Sequence, residues 1–334
     1  MQITRLDVVM PVYNEGWHVE EALECVETAS KRAGLDTRVI LVDDGSAPEY
    51  ASVLDKLSGQ GRIELVRQEN SGRFVARARG LERASAEHVL LLDARVRIAP
   101  DSLALIADSI NSGGVPVWNF DVSLANPESV WASFWFGITA VWWRDYFAHK
   151  TPVIVGEENF DRYPKGTTAF LAPRLLLQEA MAQFSSSFAD ISLASDDTKL
   201  IRFIAGKTGF NLSPAVQCSY FGKDTPKKWA KQCLFRGSTF VDGYLRDPGK
   251  AGALLGVLAG AVGLGTISLL KAPRTTLALA ALASLGAGGF ARKCGATAGE
   301  SGAVSLLSVP FGAIFGTGLA RGLWLVARAD ESSR

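Results

Sequence analysis

The chain has 334 residues, 48% of them hydrophobic, and a formal net charge of +1. That length predicts two parts, with enough apolar residues for a large core or for a core and a membrane segment. The near-neutral charge argues against an extended nucleic-acid surface, which draws on a clear cationic excess. The charge is unevenly spread. From Lys271 onward there are seven basic and three acidic residues, leaving 28 of 35 and 31 of 34 before that point, so an acidic body precedes a basic, apolar tail. Cys25, Cys218, Cys233 and Cys294 show no C-x-x-C spacing and no nearby histidine, which argues against zinc or a disulfide framework and for free thiols in a reducing compartment. The N-terminus runs into a strand-like segment with no signal-peptide pattern, so the first domain is expected to stay in the cytoplasm.

In chain order, residues 6–13 are a short valine-rich apolar run, and Val19, Leu23 and Val26 recur at helical spacing between Glu15 and Ala33. Val39 to Val42 reads as a buried strand ending in Asp43-Asp44-Gly45-Ser46, followed by a helix from Pro48 to Leu57. A strand at Ile63–Arg67, a helix at Gly72–Ala84 and a strand at His88–Leu92 continue the alternation. This pattern implies parallel β-α-β units with helices on both faces. A helix from Pro100 to about Ile110 and a strand at Val115–Val122 come next. The stretch Trp131–Phe147 then carries eight aromatic residues, and sequence leaves two readings open: a helix packed on the sheet, or one lying at a membrane interface, where tryptophan is enriched.

Beyond Lys250 the character changes. Ala251 to Leu270 holds twenty residues without a charge, the length a membrane-spanning helix needs. Thr275–Ala291 is apolar but shorter, and Ala303–Ala327 is interrupted by Arg321. Small residues at Gly252, Gly256 and Gly260, and at Gly312, Gly316 and Ala320, repeat every fourth position as helix-packing faces do in lipid. The expected organisation is an α/β domain over 1–222, a basic juxtamembrane helix over 223–250, a hydrophobic membrane domain of two or three helices over 251–328 and a polar tail over 329–334. The short link Lys271-Ala-Pro-Arg274 complicates the topology. Its positive charge favours the cytoplasm, yet one full span after a cytoplasmic domain would put it outside, so either that tendency fails or one run is re-entrant.

Pro11-Val12-Tyr13-Asn14-Glu15, then Val42-Asp43-Asp44-Gly45-Ser46, then a strand ending Leu91-Leu92-Asp93, in that order at strand ends, resemble glycosyltransferase family 2, inverting enzymes of the GT-A fold. The resemblance runs from about Leu6 to Phe240. It implies a Rossmann-like, mostly parallel mixed sheet, with polar residues clustered where open α/β sheets bind ligands, beyond the carboxyl ends of the strands. It further implies donor contacts from Pro11, Tyr13, Glu15, Asp43, Asp44, Arg77, Asp93 and Arg95. Tyr13 would pack on the nucleotide base, and Asp44 would accept from it. Arg73 and Arg79 on the same helix as Arg77 read more simply as a solvated face.

Downstream, Gly166-Thr167 and the strand after them resemble the segment framing the acceptor pocket. Ser195-Asp196-Asp197-Thr198 resembles the acidic string holding the catalytic base, matched at Asp197 with Asp196 beside it. Inversion needs a carboxylate that takes the acceptor proton as the oxygen attacks. The competing reading is a pair of caps for the following helix. Trp229, Gln232 and Arg236 resemble a basic, glutamine-containing helix before the membrane segment, with roles toward acceptor or phosphate. The strict Q-x-x-R-W string is absent, which counts against processive polymer synthesis.

Family members hold Mg²⁺ or Mn²⁺ with Asp-x-Asp at the end of the fourth strand. Here the string is Asp93-Ala94-Arg95, and arginine offers a metal no oxygen. Three readings stay open: Arg95 replaces part of the metal's charge, a metal binds through Asp93 with help elsewhere, or catalysis is lost. The expected function is transfer from a nucleotide-diphosphate sugar to a membrane-associated glycan or lipid-linked acceptor, by a multi-pass membrane protein with its catalytic domain in the cytoplasm and with small-residue helix faces suited to self-association. The alternative is an inactive, membrane-anchored nucleotide-sugar-binding scaffold. A nucleotidyltransferase on a similar fold is disfavoured, because Met10 to Asn14 contains no glycine for a phosphate loop.

Overall fold

The computed structural model describes residues 2–193, 196–245, 256, 260, 265, 267–268 and 270–332. It divides into two compact units. The first comprises Met1–Ser123, Lys150–Ser185 and Asp196–Phe221, and the second Leu124–His149, Ser186–Ser195 and Gly222–Arg334. The second unit thus draws two segments from before residue 222 as well as the chain after it.

In the first unit, strands β1 (Arg5–Val12), β2 (Asp36–Asp44), β3 (Glu64–Gln68) and β4 (His88–Leu92) alternate with helices α1 (Trp17–Ala33), α2 (Pro48–Gly59) and α3 (Arg73–Arg83). They pair in parallel in the order β3-β2-β1-β4, as the alternation predicts. Beyond β4 the sheet turns mixed. β5 (Val96–Ile98), β6 (Trp118–Leu124), β7 (Val153–Val155), β8 (Ala169–Pro173) and β9 (Phe210–Tyr220) extend it as β4-β8-β6-β9-β5, with β7 also on β9. The β4–β8 and β9–β5 pairs are antiparallel. Helices α4 (Ser102–Asn111), α7 (Arg174–Ala182) and α8 (Asp196–Lys207) complete the unit.

Helix α1 buries Val19, Ala22, Leu23, Val26 and Ala29 on one face and ends at Gly34, whose φ of 65° is the left-handed cap that a side chain would resist. Helix α3 lies close on the sheet because Gly80 has no Cβ; one added there would come within 2.4 Å of Val9 Cγ1. Asp7 anchors the start of β1. Its carboxylate is buried, which acts to raise its pKa, but the Arg38 guanidinium and the N–H groups of Ala86 and Ser85 outweigh burial and hold it below the usual carboxylate value.

The second unit is helical: α5 (Val130–Trp142), α6 (Arg144–Ala148), α9 (Pro226–Tyr244), α10 (Pro273–Lys293) and α11 (Ala298–Ser332). The aromatic stretch supplies α5 and α6, and Phe134, Trp135 and Ala140 join Trp229, Cys233, Val304 and Leu307 in one apolar cluster. It is thus a core element of the helical unit, a role neither sequence reading anticipated. Trp229, expected at the acceptor or phosphate site, belongs to the same core: its ring is buried between Phe134 and Trp131.

The close helix crossing also differs from the predicted small-residue face. Gly316 of that face is buried but Gly312 and Ala320 are exposed, whereas a Cβ on Gly318 would come within 2.4 Å of the Leu234 carbonyl, and one on Gly322 within 2.7 Å of the Ser238 carbonyl. Gly237 on α9 faces Gly318 at the same contact. The repeat at Gly252, Gly256 and Gly260 and the uncharged run Ala251–Leu270 lie largely outside the described residues. Among those described, Ala298–Ala329 is the one helix long and apolar enough, by length and composition, to cross a membrane. Helix α10 leaves Leu277, Leu279, Leu282 and Leu285 exposed.

Candidate active site

The site residues of the first unit gather beyond the carboxyl ends of β1, β2 and β4, where the backbone leaves the sheet. Three local arrangements build it.

The first follows β1 and β2. Asn14 takes a left-handed conformation, φ 52°, which asparagine tolerates better than most residues. Its N–H donates to Ser46 Oγ at 2.9 Å and its Oδ1 accepts from Ala47 N at 2.8 Å, so the turn after β1 is tied to the turn after β2. Asp43 is buried and accepts from Ser46 N at 2.9 Å. Asp44 is also buried. Its Oδ1 accepts from Gln68 Nε2 and Ser71 N, both at 2.8 Å, and its Oδ2 from Gly72 N at 3.0 Å. Asp44 therefore holds the loop that opens α3. Gly45 has a φ of 77° and passes within contact of Asn70, where a Cβ would lie 2.9 Å from the backbone nitrogen. Pro11 is half-buried at the end of β1, and the ring of Tyr13 stands exposed beside it.

The second arrangement joins carboxylates from distant parts of the chain. Arg77, on the inner face of α3, is 1% exposed. Its Nη2 donates to Asp93 Oδ1 at 2.9 Å and its Nη1 to Asp197 Oδ1 at 3.3 Å. The buried hydroxyl of Thr167 donates to the same Asp197 oxygen. Register explains the meeting: β8 runs antiparallel to β4 with Ala169 opposite Leu92, and Asp93 N donates to Thr168 O at 2.9 Å, which sets Thr167 beside the end of β4. Gly166 is fixed by its N–H to Asn119 Oδ1 at 3.1 Å. Helix α8, Asp196–Lys207, places Asp197 in its first turn, where the helix dipole favours a carboxylate. Arg73 and Arg79 are exposed, as a solvated face requires.

The third is an ion pair. Arg95 Nε donates to Glu15 Oε1 at 2.7 Å, with the two side chains 10% and 14% exposed. Beside it Arg97 pairs with Glu21, and its guanidinium lies 5.6 Å from the ring centres of both Trp17 and Phe221. His18 stacks between those aromatic rings, with centroids 3.8 and 4.6 Å away. Burial first, then the positive charge of Arg95, push its imidazole down to about 4, so it is neutral at physiological pH. Sequence reading missed His18, Asn14 and also Lys165. The ammonium of Lys165 donates to the carbonyls of Phe160 and Tyr163, and burial lowers its pKa to about 8. Only the left-handed tendency of asparagine offered a signal for any of these.

Of the remaining expected residues, Trp229, Gln232 and Arg236 lie on α9 in the second unit. Arg236 is exposed and its guanidinium sits 4.2 Å from the ring centre of Trp135.

Among the described residues no three His, Cys, Asp or Glu side chains come together as a metal group. Asp93 is engaged by Arg77, and position 95 presents only protonated nitrogens.

A mixed sheet whose parallel half ends in clustered carboxylates and arginines is the architecture of an α/β ligand-binding domain. Residues 7–167 match the family model for glycosyl transferase family 2. The undecaprenyl-phosphate 4-deoxy-4-formamido-L-arabinose transferase of Enterobacter sp. (strain 638) is 28% identical over 114 residues, 33% of this chain and 35% of that protein. The protein of the same name from Salmonella typhimurium is 27% identical with the same coverage. The chain thus matches 35% of the length of these curated relatives. In fold it resembles the mannosyltransferase PcManGT from Pyrobaculum calidifontis, solved in complex with GDP-Man and Mn²⁺, with a TM-score of 0.53, 19% identity, and coverage of 97% of this chain and 88% of that one.

Proposed function

We propose that the protein is an inverting glycosyltransferase that moves a sugar from a nucleotide-diphosphate sugar to a lipid-linked acceptor at a membrane, with Asp197 as the base. The observation that carries this reading is the meeting of Asp93, Asp197, Arg77 and Thr167 beyond the ends of the parallel strands, within or next to the segment that matches the family. The names of the relatives support a polyprenyl-phosphate acceptor, and the apolar helix Ala298–Ala329 and the exposed leucines of α10 support a membrane setting. The free thiols of all four cysteines accord with the nucleotide-sugar side facing the cytoplasm.

In the reaction an acceptor oxygen bonds to the anomeric carbon from the face opposite the nucleotide. The bond from that carbon to the diphosphate breaks, its electron pair leaving with the nucleoside diphosphate. When the acceptor is a hydroxyl, Asp197 takes its proton, and Thr167 and Arg77 hold the carboxylate so that one oxygen is fixed for the transfer. Tyr13, exposed beside the ordered Asp43–Gly45 turn, offers a face for the nucleotide base. Asp44 serves this pocket by fixing the loop at Ser71 and Gly72.

The test is turnover by detergent-solubilised full-length protein with a panel of nucleotide sugars and two lipid-linked acceptors, a polyprenyl phosphate and one that attacks through a hydroxyl, with the Asp197→Asn protein compared on the hydroxyl acceptor, where a base is needed. Release of nucleoside diphosphate coupled to glycolipid formation supports the enzyme. Nucleotide-sugar binding without turnover across the panel replaces it with a binding scaffold.

A further inference from the structure

Arg95 is a guanidinium placed beyond the end of β4, nine-tenths buried, and tied by Nε to a single carboxylate, Glu15. Its Nη1 is buried and finds no hydrogen-bond partner among the described residues. A buried N–H left without an acceptor is costly, so this side chain is held in place with bonding capacity in reserve. Glu15 is the anion that balances its charge, while His18 beside it is neutral and Arg97 is engaged with Glu21. Two residues earlier, Asp93 is turned to Arg77. The end of β4 thus offers Asp93 and Glu15, both taken up by arginines, and the unmet N–H of Arg95, a set that suits an anion better than a divalent cation.

We infer that Arg95, positioned by Glu15, neutralises the diphosphate of the bound nucleotide, and that nucleotide binding does not depend on a divalent cation. This inference rests on the nucleotide-sugar reading above and adds the residue that meets the leaving group. A guanidinium bonds phosphate oxygens with fixed geometry and stays protonated at physiological pH, so it supplies in one side chain the charge a metal would bring. As the bond to the anomeric carbon breaks, negative charge grows on the departing diphosphate, and a fixed cation there stabilises the transition state more than the ground state. Glu15 is a positioning residue: it holds Nε and leaves Nη1 without a hydrogen-bond partner among the described residues.

The experiment measures binding of UDP and of GDP to detergent-solubilised full-length protein by calorimetry, in EDTA and in Mg²⁺ or Mn²⁺. The nucleotide that binds should do so in EDTA with a Kd within about threefold of the value in metal. Arg95→Ala should weaken binding in EDTA by about tenfold or more, since it removes a charged hydrogen-bond donor. Arg95→Lys, which keeps the charge and loses the fork, should fall between. Glu15→Gln keeps an acceptor for Nε and should bind more tightly than Glu15→Ala. Binding by the unmodified protein that appears only with metal overturns the inference and leaves the transferase reading intact, and it does so even if the Arg95 variants fail to fold. Unchanged binding by folded Arg95→Ala in EDTA also overturns it. If neither nucleotide binds with or without metal, the nucleotide-sugar reading falls, and this inference with it.

Discussion

Arg77 and Asp197 are separated by 120 positions in the chain, yet their side chains meet at 3.3 Å inside the first unit. The same guanidinium holds Asp93 at 2.9 Å, so one buried arginine keeps two carboxylates from opposing each other directly. Arg77→Met should cost about 3 kcal/mol of stability, toward the lower end for breaking a buried ion pair because both carboxylates keep some contact with water. Denaturant unfolding of the two proteins measures the difference. Part of the loss should be recovered in Arg77→Met combined with Asp93→Asn, and a double mutant no better than the single would show that repulsion between the carboxylates is not the cause.

Asp197→Asn should leave nucleotide binding within about threefold of the unmodified protein while lowering turnover, because a base acts on the acceptor proton in the transition state. The size of the fall reports the acceptor. With a hydroxyl acceptor, loss of the base should cost about 10²- to 10⁴-fold. A polyprenyl phosphate attacks through an oxygen that is already ionised, and the cost should then be much smaller. Paired assays of kcat and nucleotide Kd separate these outcomes, and equal loss in both quantities would remove Asp197 from the base role.

Asp44 accepts from two backbone N–H groups and one side-chain amide at the entry to α3. Asp44→Ala should leave those donors unmet and destabilise the protein by about 1–3 kcal/mol. It should also speed amide exchange at Ser71 and Gly72 ahead of the rest of α3. Unchanged protection at both amides would show that the loop stands without the carboxylate.

His18 is protonated more readily in the unfolded chain, near 6.5, than in the folded protein, where its pKa is about 4. The unfolded state therefore binds more protons between those values, and stability should fall as pH drops from 6.5 toward 4. Above 6.5 this contribution is constant. The charged groups around it are Arg95, Arg97, Glu15 and Glu21. His18→Gln removes the titration, so its melting temperature should gain on that of the unmodified protein as pH falls through this window. Parallel melting curves across pH 4 to 7 would mean that His18 does not titrate as inferred.

The exposed leucines of α10 give the membrane reading a point test. Leu282→Glu with Leu285→Glu places two carboxylates on an exposed apolar face, where each costs about 2–3 kcal/mol if that face lies in hydrocarbon. The double variant should float less with liposomes than the unmodified protein. Equal flotation would place that face outside the bilayer.

The parallel half of the sheet was legible because each of its strands is a short apolar run followed by a helix with regular apolar spacing, and the ends differ by only a few residues. Strand β9 was not anticipated, although Phe210, Leu212, Val216 and Cys218 alternate inward along it. Pro214 in its middle argues against a strand, and nothing local shows that its partners are β5 and β7. The site was legible as a set of residue types at strand ends. Their pairing was not: that Arg77 holds both Asp93 and Asp197, and that Glu15 holds Arg95, follows from side-chain directions that only the packed sheet and helices fix. Trp229 shows the opposite limit. The resemblance to a basic helix gave it a role toward acceptor or phosphate, but the helical period turns the tryptophan inward onto Phe134.

The helical unit is assembled from three separated stretches of chain, one of them inserted between strands β6 and β7 of the sheet unit. A ribosome completing the sheet has already made α5 long before α9 and α11, against which α5 will pack. During synthesis the aromatic face of Phe134 and Trp135 must wait, uncovered, for about 90 further residues to emerge before Trp229 can reach it. Newly made chains should accordingly depend on chaperones or an insertion machinery through that interval, and ribosome-bound intermediates ending before residue 226 should be the species such factors hold.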